Sequence, residues 1–244
     1  MDIRFCITMT TIPSRLKDVN KTIKSIQNQT LKPNKIFLNI PKEYYRFPNT
    51  KIDENVLESI NSDFVEVIRC KDCGPATKIM GSINKLKEYD CLIIIDDDHL
   101  YHNKMCEIFV NEFKKNKINY SFYVQKIFDL KMAQCADGFL INCKYLDGIN
   151  DFYKEYVVNN KNMFLDDDLW LSIYLQKVKN SNIENLITIF KKKTLKNVIY
   201  DIHSSIDALS HNIHNPKKIL NRRKIAKIEY LKFKFKKFIK KFIN

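Results

Sequence analysis

Short apolar runs alternate with amphipathic stretches through the first hundred residues of the chain. Four runs rich in β-branched residues predict strands at residues 3–9, 35–40, 64–69 and 91–95. Between the first two runs, apolar residues recur at helical spacing at Leu16, Val19, Ile23 and Ile26. Ser14 can cap that helix at its N-terminus. The pattern predicts an α/β fold with a mostly parallel, twisted central sheet and helices on both faces.

The remaining pattern predicts further elements in the second half of the chain. A helix is expected from about residue 104 to residue 115, followed by a strand from Tyr120 and a second apolar segment at residues 138–141. A helical stretch covers residues 145–157, and another helix begins at the acidic cluster in FLDDDLWLSIYLQKV. We expect one catalytic domain at residues 1–215 and a C-terminal tail at residues 216–244.

The fourth predicted strand ends in three consecutive aspartates. The run CLIII at residues 91–95 is apolar throughout, which is typical of a strand buried on both faces, and Asp96, Asp97 and Asp98 follow it. Ligands of open α/β sheets bind beyond the carboxyl ends of the strands. Three adjacent carboxylates repel one another unless a cation compensates them, and their oxygens suit Mg²⁺ or Mn²⁺. We expect Asp96 and Asp98 to bind the metal; the alternative is that Asp96 or Asp97 only caps a following helix.

The amino-acid composition argues against several kinds of functional site. Four glycines in 244 residues argue against a Gly-rich phosphate loop. The seven cysteines are scattered, and the Cys70–Cys73 pair has no second close pair to complete a zinc site. The N-terminus lacks the pattern of a secretory signal, so we expect free thiols and a cytoplasmic location.

The formal charge of +14 is concentrated at the C-terminus. Residues 216–244 contain 12 Lys and Arg residues and one acid, Glu229, with Ile, Leu and Phe interleaved. This pattern predicts a basic amphipathic helix in peripheral contact with an anionic membrane. Two alternatives are a terminal helix that packs its Ile and Phe residues on the domain, and a contact with nucleic acid or an acidic partner.

Three segments resemble parts of GT-A glycosyltransferases, and together with a fourth they span about residues 3–215. The stretch LIIIDDDHLY resembles the DxD signature, ITMTTIPSRL is similar to the nucleotide-binding opening, and CGPATKIMG resembles a GPATK stretch found in some viral and bacterial members. The resemblance implies a nucleotide-diphosphate sugar as donor and Mn²⁺ or Mg²⁺ as cofactor. It assigns donor binding to Thr10, Thr11, Arg15, Lys78, Asp96, Asp97 and Asp98.

The fourth segment, FLDDDLWLS, resembles the late acidic motif of inverting members, in which a carboxylate serves as general base. The resemblance implies that Asp167 takes the proton of the acceptor hydroxyl, with Asp166 and Asp168 as alternatives because one sequence does not set the register. The competing interpretation is an acidic helix start, stabilised by the helix dipole. Inversion is expected, and retention stays open.

Other members use a late histidine as a further metal ligand, which implies His203, with His211 and His214 as competitors. Asp137 and Gly138 can border an acceptor pocket. Trp170 can stack on a sugar ring, although a core position is the stronger interpretation.

The resemblance implies a glycan, glycolipid or protein acceptor, and nucleic acid is not the expected partner. The main competing function is a metal-dependent phosphohydrolase or nuclease, which would arrange acids and histidines around two metals. A non-enzymatic binding protein is a second alternative, and it would tolerate Asp96→Asn.

Overall fold

The computed structural model describes residues 2–190, 200–202 and 218–243. Its strands are β1 (Phe5–Thr10), β2 (Lys35–Pro41), β3 (Val65–Cys70), β4 (Cys91–Ile94), β5 (His99–Tyr101), β6 (Asn119–Ser121), β7 (Val124–Ile127), β8 (Leu130–Ala133), β9 (Phe139–Asn142), β10 (Ile183–Asn185) and β11 (Tyr200–Ile202). Its helices are α1 (Val19–Gln27), α2 (Glu54–Ile60), α3 (Thr77–Met80), α4 (Ile83–Leu86), α5 (Met105–Asn116), α6 (Ile149–Phe152), α7 (Lys161–Phe164), α8 (Asp167–Ile173), α9 (Leu186–Phe190) and α10 (Lys218–Ile243). Helices α6 and α8 continue as π-helical turns, at Tyr153–Val157 and Tyr174–Val178.

A seven-stranded sheet forms the centre of the molecule, with the order β10-β6-β9-β4-β1-β2-β3. Strands β4, β1, β2 and β3 are mutually parallel, and β10 is parallel to β6. Strand β9 runs antiparallel to both of its neighbours, β4 and β6. The prediction of an α/β fold with a mostly parallel sheet is therefore confirmed, and the four N-terminal strands lie within two residues of their predicted bounds.

The sheet has a core on each face because strand side chains alternate in direction. On β4, Leu92 and Ile94 belong to one buried cluster, whereas Cys91 and Ile93 belong to the other. The first cluster is covered by α3, α4, α6 and α8, and the second by α1, α2 and α5. Because the side chains of β4 enter both clusters, every position of this strand is apolar, as in the sequence CLII.

One predicted boundary is wrong. Ser14 does not cap a helix: Pro13–Arg15 form a 3-10 turn, and α1 begins at Val19. Proline fixes the backbone at the first position of that turn. The four apolar residues predicted for this helix are nevertheless buried, because the turn and α1 present their apolar side chains to the same core.

Helix α10 packs one side against the domain. Ala226, Tyr230 and Phe233 are buried in the same cluster as Trp170. Within the described ranges, none of the helices combines the length and the hydrophobicity that a membrane span requires.

Candidate active site

The parallel register of β1 and β4 brings the first acidic triplet to the N-terminal segment. Thr8 pairs with Ile94, so the residues that follow the two strands leave the sheet at the same edge. Thr11 follows β1, and Asp96 stands two residues beyond β4. Lys78 comes from the loop and helix after the parallel strand β3. The predicted donor-binding segments therefore meet at the carboxyl edge of the sheet, where ligands of open α/β sheets bind.

The central aspartate of the first triplet, Asp97, is enclosed by the N-terminal segment. Its carboxylate accepts hydrogen bonds from the Thr11 hydroxyl and from Nη1 of Arg15, both at 2.5 Å. The Thr22 hydroxyl donates to the Asp97 carbonyl at 2.8 Å. Burial raises the pKa of the Asp97 carboxyl to about 6, against the opposing effects of Arg15 and Thr11. Through these hydrogen bonds, Asp97 holds the segment that follows β1 against the segment that follows β4.

The two outer aspartates have other partners. Oδ2 of Asp98 lies 2.9 Å from Nη1 of Arg15, and Oδ1 lies 2.8 Å from Nδ1 of His99. The backbone N–H of Asp96 donates to the Tyr101 hydroxyl at 3.0 Å, and that hydroxyl donates to the Ala136 carbonyl at 2.9 Å. Burial disfavours the imidazolium of His99, but the hydrogen bond to Asp98 and the charge of Asp96 outweigh it and raise the His99 pKa. The prediction that Asp96 or Asp97 caps a helix is wrong, since strand β5 follows the triplet.

Lys78 joins the two acidic triplets. Its Nζ atom contacts Oδ1 of Asp96 and lies 3.0 Å from Oδ2 of Asp167. Burial disfavours the ammonium, but the carboxylates of Asp167 and Asp96 outweigh this effect and raise the pKa of Lys78 well above its ordinary value. Burial also disfavours the Asp96 carboxylate, and the charge and hydrogen bond of Lys78 reverse that effect and lower its pKa. A buried cation thus compensates two carboxylates that are far apart in sequence.

The GPATK segment has a geometry that glycine makes possible. Gly74 has φ +61°, and a Cβ atom there would lie 2.8 Å from Cε1 of Phe164. Its N–H donates to Oδ1 of Asp72 at 2.7 Å, and the Cys73 N–H donates to the Thr77 hydroxyl at 2.8 Å. The close approach to Phe164 brings the segment against α7, immediately before the second triplet.

Arg222 from α10 joins the outer members of the second triplet. Its Nε and Nη2 atoms donate to the two carboxylate oxygens of Asp166 at 2.9 and 2.8 Å, and Nη2 donates to Asp168 at 2.7 Å. Asp166 also caps α8 by accepting from the Leu169 N–H at 3.1 Å. The interpretation as an acidic helix start is therefore correct, since Asp166 is the N-cap of α8 and Asp167 and Asp168 lie in its first turn.

Asp168 is buried and accepts hydrogen bonds at both of its carboxylate oxygens. Its Oδ1 accepts from the Cys135 N–H at 2.8 Å. Burial raises its pKa to about 6; Arg222 opposes the shift, and the charges of Asp167 and Asp166 add to it. Both oxygens of Asp168 are engaged, whereas the Asp167 carboxylate faces Lys78.

The two triplets differ in their suitability for a metal. Ligand atoms of Cys135, Asp167 and Asp168 lie within 4.8 Å of one another. Burial, with the charges of Asp167 and Asp168, raises the Cys135 pKa well above its ordinary value. Cysteine sulfur is a soft ligand, whereas Mg²⁺ and Mn²⁺ prefer oxygen ligands. Asp96 and Asp98 instead offer hard oxygen donors, and 31% of the Asp96 side chain is exposed. The donor chemistry of the first triplet therefore suits Mg²⁺ or Mn²⁺ better, whereas only the second triplet belongs to a group of three ligand atoms this close together among the described residues.

The other predicted residues have different surroundings. The Thr10 hydroxyl donates to the Asn39 carbonyl at 2.7 Å, and among the described residues Thr10 makes no side-chain hydrogen bond with either triplet. Trp170 is fully buried beside Phe152 and Tyr153, so its assignment to the core is correct and sugar stacking is wrong. His203, with its competitors His211 and His214, lies outside the described residues. Asp137 is buried, and its negative charge contributes to the raised pKa of His99.

Sequence reasoning missed two contributors to the site. Arg222 stood in a run of basic residues, and nothing in that run distinguishes it from Arg223. The Cys135 contact uses only the backbone N–H, which carries no signal of residue type. His99, in contrast, directly follows the triplet, and its position offered a signal.

No family model and no curated protein matches the chain. Solved structures do match. The chain is similar to residues 1–349 of TarS from S. aureus, solved with UDP, with a TM-score of 0.55 and 12% identity over 94% of this chain and 66% of that one. It is also similar to a mannosyltransferase from Pyrobaculum calidifontis, solved with GDP-Man and Mn²⁺, with a TM-score of 0.54 and 9% identity over 76% and 55% of the two chains. The chain therefore spans about two thirds and about half of these two proteins.

A 4-diphosphocytidyl-2C-methyl-D-erythritol synthase from Anaerococcus prevotii matches with a TM-score of 0.51 and 12% identity, over 75% of this chain and 86% of that one. At such identities the likeness concerns the fold alone. The chain has the GT-A fold of nucleotide-diphospho-sugar transferases.

Proposed function

We propose that the protein is a glycosyltransferase, which moves a sugar from a nucleoside-diphosphate sugar to an acceptor hydroxyl. The observation that carries the proposal is the contact of Lys78 with both Asp96 and Asp167. It joins a metal-compatible carboxylate and a separate candidate base at the ligand-binding edge of a GT-A sheet. The neighbours with UDP and with GDP-Man and Mn²⁺ support this class of donor.

The donor would bind through the first triplet and the cations around it. Asp96 and Asp98 would hold Mn²⁺ or Mg²⁺, and His203 is proposed as a further ligand from the chain outside the described residues. When bound, this cation would act as a Lewis acid toward the diphosphate oxygens. Arg15 and Lys78 would add positive charge beside the departing nucleoside diphosphate. Thr10, Thr11 and Asp97 would shape the nucleotide side of the site.

The second triplet would supply the group that takes the proton of the acceptor hydroxyl. Asp166 and Asp168 are held by Arg222, whereas Asp167 faces Lys78 at the junction of the triplets. We therefore assign Asp167 as the general base. As the acceptor oxygen bonds to the anomeric carbon, its proton passes to Asp167, and the bond from that carbon to the phosphate oxygen breaks with its electron pair on the nucleoside diphosphate. A single displacement of this kind inverts the anomeric centre.

A donor panel tests the proposal. UDP- and GDP-sugars are added with and without Mn²⁺, and the melting temperature and the slow release of free sugar are measured. At least one nucleotide sugar should raise the melting temperature in a metal-dependent way. Asp96→Asn should remove the metal dependence, and Asp63→Asn, a change of the same kind at an exposed position, should not.

The outcome also separates the competing classes. If no donor stabilises the protein with Mn²⁺, the glycosyltransferase proposal fails. Hydrolysis of a phosphomonoester or a nucleic acid at the same site, abolished by Asp96→Asn, would instead indicate a phosphohydrolase or nuclease. Asp167→Asn should keep donor stabilisation and lose sugar transfer or release; loss of donor binding would contradict its role as the base.

A further inference from the structure

Helix α10 has a second apolar face, opposite the face that packs on the domain. The inner face carries Arg222, Ala226, Glu229, Tyr230 and Phe233. The outer face carries exposed apolar residues at Ile225, Ile228, Leu231, Phe235 and Ile239. These outer positions advance by three or four residues, so they form one continuous stripe along the helix. Leu231 and Phe235 are 52% and 66% exposed, and an apolar stripe of this length indicates a binding surface.

The inner face holds the helix in place without using the stripe. Glu229 accepts hydrogen bonds from Asn160 at 2.7 Å and from Asn162 at 2.9 Å. The Tyr230 hydroxyl donates to Asp129 at 3.1 Å. The outer stripe is therefore presented by a docked helix, which does not have to detach in order to expose it.

Basic side chains border the stripe on both sides. At 100° per residue, Arg223 and Lys227 lie beyond one edge of the stripe and Lys236 beyond the other, with Lys224 and Lys232 just inside the edges. Lys232 contacts Glu229, and Lys236 contacts Glu155.

Three of the basic residues have no acidic partner among the described residues. Within the part of the chain that the structure describes, Arg223, Lys224 and Lys227 have no carboxylate within 4.0 Å. Positive charge is therefore available at the level of the apolar stripe.

The hairpin of β7 and β8 extends this surface. Its turn residue Phe128 is 49% exposed, and Nζ of Lys227 lies 5.7 Å from the centre of its ring. The next residue, Asp129, contacts Lys177 at 2.9 Å as well as Tyr230. The hairpin is thus fastened to the inner face of α10, and it adds an aromatic side chain beside the outer stripe.

We propose that this surface, the α10 stripe with its basic borders and Phe128, binds the face of an anionic lipid bilayer. A bilayer offers acyl chains beneath a layer of negative phosphates, which matches an apolar stripe between two basic edges. A second copy of the chain would bring like-charged edges together. Nucleic acid would satisfy the charges and leave the apolar side chains in water. From residue 222 to residue 240 the helix is about 28 Å long, so it lies along the membrane surface.

Vesicle sedimentation of the full chain tests this proposal. Vesicles of phosphatidylcholine alone are compared with vesicles in which about a third of the lipid is phosphatidylglycerol, at low and high salt. The protein should bind only the anionic vesicles, and salt should weaken the binding. Equal binding to both kinds of vesicle, or to neither, overturns the proposal without any variant.

Substitutions then separate the two components of the surface. Arg223→Gln, Lys224→Gln and Lys227→Gln together should lower the partition coefficient about 100-fold, at about fivefold for each charge. The control Lys24→Gln, Lys51→Gln and Lys114→Gln has the same net charge and should bind like the parent. Leu231→Glu with Phe235→Glu should lower binding more than tenfold, whereas Ile189→Glu, at a residue that is 43% exposed, should not.

All of these substitutions except that of the half-buried Lys227 are at exposed positions, and a melting curve for each variant verifies that it is folded. Equal loss in variant and control overturns the proposal, as does RNA binding that survives Leu231→Glu with Phe235→Glu while vesicle binding is absent. The proposal does not rest on the catalytic one, because stabilisation by a nucleotide sugar is measured without vesicles.

Discussion

Nζ of Lys78 lies 3.0 Å from Oδ2 of Asp167 while it also contacts Asp96. One buried ammonium therefore compensates a carboxylate of each acidic triplet. The two triplets are therefore parts of one site. A change in the charge of the candidate metal ligand, Asp96, alters the electrostatic environment of the candidate base, Asp167.

Removal of the Lys78 charge should destabilise the protein and change its response to metal. Lys78→Met leaves Asp96 and Asp167 without their shared cation, which should lower the free energy of unfolding by about 3 kcal/mol. Urea denaturation measures this change. Mn²⁺ should stabilise the variant more than it stabilises the parent, because a divalent cation can replace the lost charge. A smaller effect of Mn²⁺ in the variant would contradict this account of the site.

Arg222 should act on the site from α10. Because the Arg222 side chain is 42% exposed, we expect Arg222→Gln to cost only about 1–2 kcal/mol of stability. Release of Asp166 and Asp168 should lower turnover of the donor more than its binding. The matched control is the adjacent Arg223→Gln, which touches no acid among the described residues. Equal effects of the two substitutions on turnover would show that Arg222 has no special role.

Gly74 should be more sensitive to a methyl group than Gly148. Both have positive φ, at +61° and +81°, so alanine strains the backbone at either position. Only at Gly74 does the added Cβ meet a side chain closely, at 2.8 Å from Phe164; at Gly148 the nearest atom is 3.8 Å away. Gly148→Ala should cost about 1 kcal/mol, and Gly74→Ala should cost more and weaken donor binding by displacing Lys78. Thermal unfolding with and without the donor measures both effects.

Asp168 should make stability depend on pH in a direction opposite to that of most aspartates. Its folded pKa of about 6 exceeds the ordinary value of 3.8, so the folded state holds the extra proton between these values. This contribution to stability is present at low pH and is lost as the pH rises through about 6. Relative to the parent, Asp168→Asn should therefore gain stability between about pH 4 and pH 7. A stability difference that stays constant over this range would contradict the raised pKa.

Local pattern determined much of the fold. The apolar run at β4 and the helical spacing of Val19, Ile23 and Ile26 both result from burial, because buried positions of a strand or helix carry apolar residues. The start of α1 was misplaced because a 3-10 turn beginning at Pro13 satisfies the same apolar spacing. The spacing of the apolar residues therefore does not distinguish a 3-10 turn from the first turn of an α-helix.

Local pattern also found the two acidic triplets, since consecutive carboxylates are conspicuous in any chain. It did not reveal that Lys78 joins Asp96 to Asp167, because strand order and helix packing decide which distant charges meet. Tertiary packing likewise distinguished Arg222 from Arg223: one turns to the acids of the domain and the other to solvent.

The sequence by itself determined the α/β architecture and the presence of two acidic segments and a basic amphipathic helix. All three depend on residue type and spacing, which persist in an unfolded chain. Only the tertiary structure decided that the acids share one buried cation and that α10 has a docked face and an exposed one. Those facts depend on which surfaces become buried together, and burial of a charge is favourable only where folding brings its partner within a few ångströms.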